Sequence, residues 1–421
     1  MLSSLANALK VKELRNKVLF VLAMIAVYRI GAHIPVPGID ITAVENMMGG
    51  GILGFLDMFA GGALSRMTIF AMSISPYITA SIILNLLTVV IPQLEELSKQ
   101  GPEGRKKIAQ YTRYGTVVLA VIQGLGISFW LRNMQALKNP NFFNMFTIVV
   151  TLTAGTAFLM WLGEQITDKG IGNGISIIIF SSIISRFPSG VRNAFQNMLH
   201  AKESGITFAH GLFFLVLALA IVAAVIYIQQ GERRIPVQYS KRVVGRKVYG
   251  GRSTNIPMKV NQAGVIPVIF ASSVLMFPAT FFRFLPWDWA ASVTSALEPG
   301  NPIQLILNAL LIIFFTYFYT AISFNPRDVS DNLKKHGGFI PGLRPGRPTT
   351  NYLEKVLSRI TLSGAIFLAI IATIPYGLKA LTGLGGSFGG TSLLIVTGVA
   401  LETMKQIESH LLMRHYEGFL K

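Results

Sequence analysis

Runs of about twenty apolar residues recur about ten times along this chain, and each is long enough to cross the ~30 Å hydrocarbon core of a bilayer as a helix. Nearly all of the net charge of +18 sits between the runs. One such run at an N-terminus would read as a signal peptide. Ten of them commit the whole chain to a membrane-embedded helical bundle, because only helices or closed barrels satisfy their backbone polar groups in lipid. Only 13% of the 421 residues are charged, against about 25% in a soluble globular domain. At roughly 150 residues per soluble domain, the length would suggest two or three domains. The runs use that length as spans, so it is read as one membrane domain.

The runs lie at 18–34, 70–91, 114–131, 145–166, 174–187, 211–230, 262–283, 303–324, 356–376 and 391–412. The first follows Lys10, Lys12, Arg15 and Lys17, as a signal peptide would. Its flank, His33-Ile-Pro-Val-Pro37, lacks a small-x-small cleavage site, so it is read as a retained first span. Cysteine is absent, which excludes disulfides and thiolate metal sites but identifies no compartment. Lys and Arg in alternate loops number 28 on one side and 9 on the other. The richer side holds both termini, 92–113, 167–173, 231–261 and 325–359. The positive-inside rule makes that side cytoplasmic.

Ten spans divide into five and five, at 1–195 and 196–421. An odd number per half makes the second half enter the membrane in the opposite sense, the inverted-repeat plan of many transport proteins. Pro/Gly-interrupted spans at matching positions point to the path through such a fold. The second run contains Met72-Ser-Ile-Ser-Pro76, and the seventh, second in its half, contains Gly264-Val-Ile-Pro267. Both continue into small hydroxyl residues and isoleucines, a composition that close helix packing also produces.

Before the second run, Ile52–Ala60 is apolar but too short to span, with glycines on both flanks. A movable plug and an interfacial or re-entrant segment both fit it. Two basic loops stand out. In 231–261, apolar and polar residues alternate on both sides of Gly245, which predicts a β-ribbon. In 325–359, Pro and Gly between Gly337 and Pro348 preclude a long helix. Positive-inside bias accounts for the sign of these charges. It does not account for the length of the loops or for arginine at their tips, which suits RNA phosphates or an acidic protein surface.

A proton- or ion-coupled transporter carries ionisable residues near the midplane. The candidates are Arg29, Glu164 and Glu402. The first two lie near span ends and can snorkel. Glu402 is deeper, with pairing inside the bundle as its expected state. A path lined by isoleucine and small residues seals by dewetting and binds no polar solute tightly, which suits a conduit for an extended chain. There is no phosphate-binding loop and no catalytic constellation, so the energy source is external and the chain is read as no enzyme, with no cofactor.

Six motifs resemble the SecY/Sec61-alpha family of protein-translocation channels. They are Ser75-Pro-Tyr-Ile-Thr-Ala-Ser-Ile-Ile83, Gly104-Arg-Lys-Lys-Ile-Ala-Gln-Tyr-Thr-Arg-Tyr-Gly115, Gly170-Ile-Gly-Asn-Gly-Ile-Ser-Ile177, Gly231-Glu-Arg-Arg-Ile235, Ala263-Gly-Val-Ile-Pro267 and Pro341-Gly-Leu-Arg-Pro-Gly346. They stand in the family's order, and the resemblance covers essentially the whole chain. It implies an all-α membrane protein of about ten transmembrane helices, in two inverted five-helix halves around a central pore. A short plug helix and a cytoplasmic β-ribbon loop complete the plan.

The resemblance further implies a pore ring of Ile78, Ile82, Ile179, Ile183, Ile269 and Ile395. It implies a plug at 52–66, carrying Ile52, Leu53, Phe55, Leu56, Met58 and Phe59, on the outer side of the ring. A lateral gate is implied between the second and third spans and the seventh and eighth, with Ser81, Asn85, Ser272, Ser273 and Phe277. Loop contacts to the SecA motor or the ribosome fall on Arg234, Lys241, Arg242, Arg246, Lys247, Arg344 and Arg347. SecE and SecG are the implied membrane partners, alongside signal sequences, nascent polypeptides and membrane lipids. The implied location is the bacterial plasma (inner) membrane. Thr397-Gly398 departs from the expected continuous apolar run beside Ile395. The rival function is a secondary transporter of a small solute with an inverted-repeat fold. A membrane-bound enzyme or insertase would need a catalytic set or a polar groove.

Overall fold

The computed structural model describes residues 10–47, 51–199, 208–239, 242–244, 247–249, 253–283, 287–382 and 390–418. Each apolar run is carried by one helix, numbered here in chain order as the first to tenth span helices. They are Lys12–Gly31, Ser75–Val90, Pro102–Asn133, Phe142–Lys169, Gly174–Leu199, Phe208–Gln230, Ile266–Arg283, Pro302–Ser323, Arg347–Thr382 and Gly390–Gly418. By length and composition, five described helices are long and apolar enough to cross a membrane. A sixth counts if the second is joined to its continuation Pro92–Lys99, which bends away by 99°.

Helix ends differ from the apolar runs for a physical reason. Hydropathy marks only the stretch that suits hydrocarbon, whereas the backbone hydrogen bonds of a helix continue into water. The third helix therefore starts at Pro102 rather than near 114, with Arg105, Lys106 and Lys107 exposed on the extension. The ninth starts at Arg347 rather than 356. The second starts at Ser75 rather than 70, with Pro76 in its first turn. Pro267 likewise stands in the first turn of the seventh. Proline fits there because its missing N–H has no helical partner to lose. The two matching prolines thus begin helices and do not interrupt spans, contrary to the expectation above. Prolines stand inside the fifth helix at Pro188, the seventh at Pro278 and the ninth at Pro375.

Neighbours in sequence pack together. The second lies on the third, the third on the fourth and the fourth on the fifth; the seventh lies on the eighth, the eighth on the ninth and the ninth on the tenth. The first to fifth helices meet the rest chiefly along two seams, second against seventh and fifth against tenth. One buried apolar cluster runs through the bundle from Tyr28 to Val399.

The predicted ribbon is present. Strand β1, Glu232–Tyr239, pairs antiparallel with β4, Ser253–Lys259, placing Ile235 opposite Ile256. Strands β2, Arg242–Val244, and β3, Lys247–Tyr249, pair with Val243 opposite Val248. Both pairings fall in one register, in a three-stranded sheet and a separate two-stranded one. Lys241, Gly245 and Arg246 lie outside the described residues. Strand β5, Gly338–Phe339, adds to β1. Alternation in β1 buries Ile235 and Val237, which pack with Met258 against Leu333, Leu353 and Val356 in a second, separate core. The expected absence of a long helix across 325–359 holds only as far as Gly346, because the long ninth helix already begins at Arg347. A ten-residue helix, Pro326–Lys335, is capped by Asn325 Oδ1 accepting from Arg327 N–H at 3.1 Å, and turns follow to Gly346.

Candidate functional site

The four helices of the two seams are the second, fifth, seventh and tenth, and the six ring candidates sit on those four. Ile78 and Ile82 lie on the second, Ile179 and Ile183 on the fifth, Ile269 on the seventh and Ile395 on the tenth. All six belong to the central cluster, and none is more than 7% exposed. Spacing by four puts each pair on one helix face.

A cavity lies on each side of this layer. The larger, about 390 Å³, opens beside the basic loops and is lined by Val265, Ile266, Gly398, Glu402 and Lys405 among others. The smaller, about 70 Å³, is lined by Ile78, Ile179, Ser273, Met276 and Phe277 together with Leu53, Leu56 and Phe59. On the seventh helix, Ile266 faces the first and Ser273 the second, with Ile269 between. At 1.5 Å per residue the intervening stretch is about 10 Å. The six isoleucines therefore lie in a short apolar stretch of the core between two recesses.

The short helix Gly51–Phe59 caps the layer by packing on the fifth and seventh span helices. Leu53 and Met58 are buried. Ser392 Oγ of the tenth helix donates to Met58 Sδ at 3.2 Å. The side chains of Ile52 and Phe55 lie outside the described set.

At the first seam, Asn85 Nδ2 donates to Ser81 Oγ at 3.4 Å and to Tyr319 OH at 3.3 Å, which ties the second helix to the eighth. Tyr319 is the residue that reading the chain missed. Its only signal was one hydroxyl among several in that run, with Thr316, Tyr317, Thr320 and Ser323 beside it. It packs edge-on against Phe270 of the seventh helix, with centroids 5.1 Å apart. Ser273 and Phe277 face the smaller cavity. Ser272 does not join them; it turns toward Gln304 and Asn308 of the eighth helix.

The ionisable candidates divide. Arg29 is half-buried; it donates to Ser185 Oγ at 3.0 Å and to the Gly61 carbonyl at 3.4 Å rather than only snorkelling. Glu164 pairs with Arg113 at 2.8 Å. Glu402 is exposed in the larger recess, and among the described residues no ion pair to it is found, contrary to the expected pairing. On the loops, the guanidinium of Arg234 is held by Glu232 Oε1 at 2.8 Å. Arg344 and Arg347 are exposed. The side chains of Arg242 and Lys247 lie outside the described set.

Gly398 explains the departure beside Ile395. The tenth helix runs unbroken through it. A Cβ at Gly398 would lie 2.0 Å from Val265 Cγ1, so glycine there lets the tenth helix approach the seventh closely.

The family model for SecY matches residues 68–404. The chain belongs to the SecY family. It is 50% identical over 446 residues to the protein translocase subunit SecY of Streptomyces scabiei, covering all of both chains. It is 47% identical over 420 residues to that of Escherichia coli K12, covering 97% of this chain and 94% of the relative. Among solved structures, a protein-conducting channel superposes with a TM-score of 0.67 at 17% identity, over 93% of this chain and 91% of the other. Sec61 in a canine ribosome-channel complex gives 0.64 at 16%, over the same shares. These two show the same fold. The SecY-family chain is a multi-pass membrane protein.

The close crossing yields an expected outcome. Gly398→Val forces the SecY-family seventh and tenth helices apart beside Ile395 and costs about 1–3 kcal/mol, the range for overpacking a well-filled interior. A lower thermal unfolding midpoint of the purified chain in detergent, with Gly398→Ala intermediate, checks it.

Proposed function

We propose that this SecY-family chain is a gated channel that passes unfolded secretory polypeptides outward and releases hydrophobic segments sideways into lipid. It is not an enzyme. The observation that carries the reading is the layer of six isoleucines, supplied by the four seam helices and set between two recesses. A β-branched apolar ring is stiff, fits around a threading chain and excludes water when empty. The helix Gly51–Phe59 is the plug on its outer side. The seam of second and seventh helices is the lateral gate, with Asn85, Ser81, Ser273 and Phe277 near it. A hydrophobic segment leaving there gains roughly 0.8 kcal/mol per CH₂ buried in hydrocarbon.

The halves 1–195 and 196–421 are the two inverted repeats of the channel. Their contact along two seams supports that division. The excess of Lys and Arg in alternate loops supports cytoplasmic termini, and the bacterial relatives support a bacterial plasma membrane. SecE and SecG are its membrane partners. SecA or the ribosome supplies the push and docks on the basic loops, with Arg344 and Arg347 as exposed contacts. Solved relatives of the same fold bound to ribosomes, canine Sec61 and yeast Ssh1, support a ribosomal partner. The mainly apolar lining of the smaller recess and the isoleucine layer give little to hold the polar solute of the rival, a small-solute transporter.

The test is crosslinking from a photoreactive side chain at position 269 to a stalled secretory chain in reconstituted vesicles. A crosslink that appears only during threading is the expected result. Its absence, with saturable uptake of a small solute by the same vesicles, would overturn the channel reading.

A further inference from the structure

We propose that Asp57 and Arg186 form a latch that holds the plug helix against the fifth span helix in the closed channel. The inference rests on the plug reading above and names the side chains that set the plug's resting place.

Asp57 is the one ionisable residue in Gly51–Phe59, and it is 2% exposed. A carboxylate buried that far is strongly unfavourable unless paired and hydrogen-bonded. Both of its oxygens are engaged. Oδ2 accepts from Arg186 Nη1 at 2.5 Å, and Oδ1 accepts from the Ser65 N–H at 2.8 Å. Arg186 lies one turn beyond Ile183, so the pair ties the plug to a helix that carries two ring positions.

The contact extends over a whole helix face. Ser182, Ser185 and Arg186 stand at i, i+3 and i+4 on the fifth helix, a polar face on an apolar span. Ser182 Oγ lies 2.6 Å from Tyr28 OH, which donates to the Ala60 carbonyl at 3.2 Å. Ser185 Oγ and the Gly61 carbonyl share the Arg29 guanidinium. The face thus reads the end of the plug at 57, 60 and 61 and leaves the apolar residues of the plug to cover the ring.

The chemistry suits a part that must leave. A purely apolar contact tolerates sliding. A hydrogen-bonded charge pair fixes one register, and losing one partner strands the other. The side chain of Arg186 is 31% exposed, so it keeps a share of its hydration when the plug moves. Asp57 regains water in the outer recess. The latch is therefore specific in place and readily opened.

The experiment uses the channel with its membrane partners in vesicles and compares Asp57→Asn, Arg186→Gln and the double variant. Two readouts are taken, resting halide leak and plug position. Plug position is reported by a short bifunctional thiol reagent across cysteines placed at Met58 and Ser392; the chain has no native cysteine to interfere. Each single variant is expected to raise the leak and slow the bridging by about tenfold, and the double is expected to be no worse than the worse single, the non-additivity of directly coupled residues. Unchanged leak and bridging in both singles, or strictly additive effects in the double, would overturn the latch. Transport of a secretory chain by the same vesicles separates the two readings. Its persistence in the variants leaves the channel standing whatever the latch result, and its absence in the unaltered protein strikes the channel reading instead.

Discussion

Ile82→Asn and Ile269→Asn each raise the resting ion leak of reconstituted channels by one to two orders of magnitude. Both side chains are buried in the central cluster, at 2% and 6% exposure. The dry state of the constriction is favoured because its wall is apolar. Removing one buried isoleucine withdraws about 2 kcal/mol of that preference. An amide in its place also needs hydrogen-bond partners, which an isoleucine layer does not supply and water does. Since about 1.4 kcal/mol is tenfold in population, the wet state gains about thirtyfold or more. Ile184→Asn is the control, because Ile184 adjoins Ile183 on the fifth helix but is 39% exposed. Its expected leak is that of the unaltered protein. The check is halide efflux from vesicles at matched protein content. A leak from Ile184→Asn equal to that from Ile82→Asn would mean that the layer is not the seal.

That control also shows where reading the chain stops. The helices were legible because about twenty consecutive apolar residues have one physical use. Their ends were not, since the helices at Pro102 and Arg347 begin in sequence that carries charge. Ile183 and Ile184 are chemically identical neighbours, and composition cannot say which one faces the seam. Resemblance to a family was needed to choose among them. The ribbon was legible from its alternation, and its register follows from pairing Ile235 with Ile256 and Val243 with Val248. Asp57 went unremarked in a segment read as apolar. Its partner stands 129 positions away, a separation that no local pattern can bridge. Ser272 and Ser273 looked equivalent at the gate, but a 100° step around the helix turns them to different neighbours. Gly398 looked like a defect in a span and is instead the condition for a close crossing.

Arg344→Glu abolishes most motor- or ribosome-driven transport while leaving the resting leak unchanged. Arg344 is exposed on a turn that the fold holds in place. Leu343 N–H donates to the Ile340 carbonyl at 3.0 Å, Thr349 Oγ1 to the Arg344 carbonyl at 2.9 Å, and Ser330 Oγ to the Gly346 carbonyl at 3.0 Å. Gly346 closes the turn with φ of +104°, a conformation that suits glycine. A guanidinium on so fixed a base loses little entropy when it meets a carboxylate or phosphate, and its planar fork makes paired hydrogen bonds. Reversing its charge replaces that attraction with repulsion, a change of about 2–4 kcal/mol in docking, or at least tenfold in affinity. Arg234 differs, because Glu232 already occupies its guanidinium within the strand. Arg234→Glu is therefore expected to weaken docking less. The measurement is the initial rate of precursor uptake into vesicles as motor or ribosome concentration is varied. For Arg344→Glu the half-saturating concentration rises at least tenfold, and raising the salt from low to physiological strength weakens the unaltered channel far more than the variant. Equal salt dependence in the two would show that this arginine faces no charged partner.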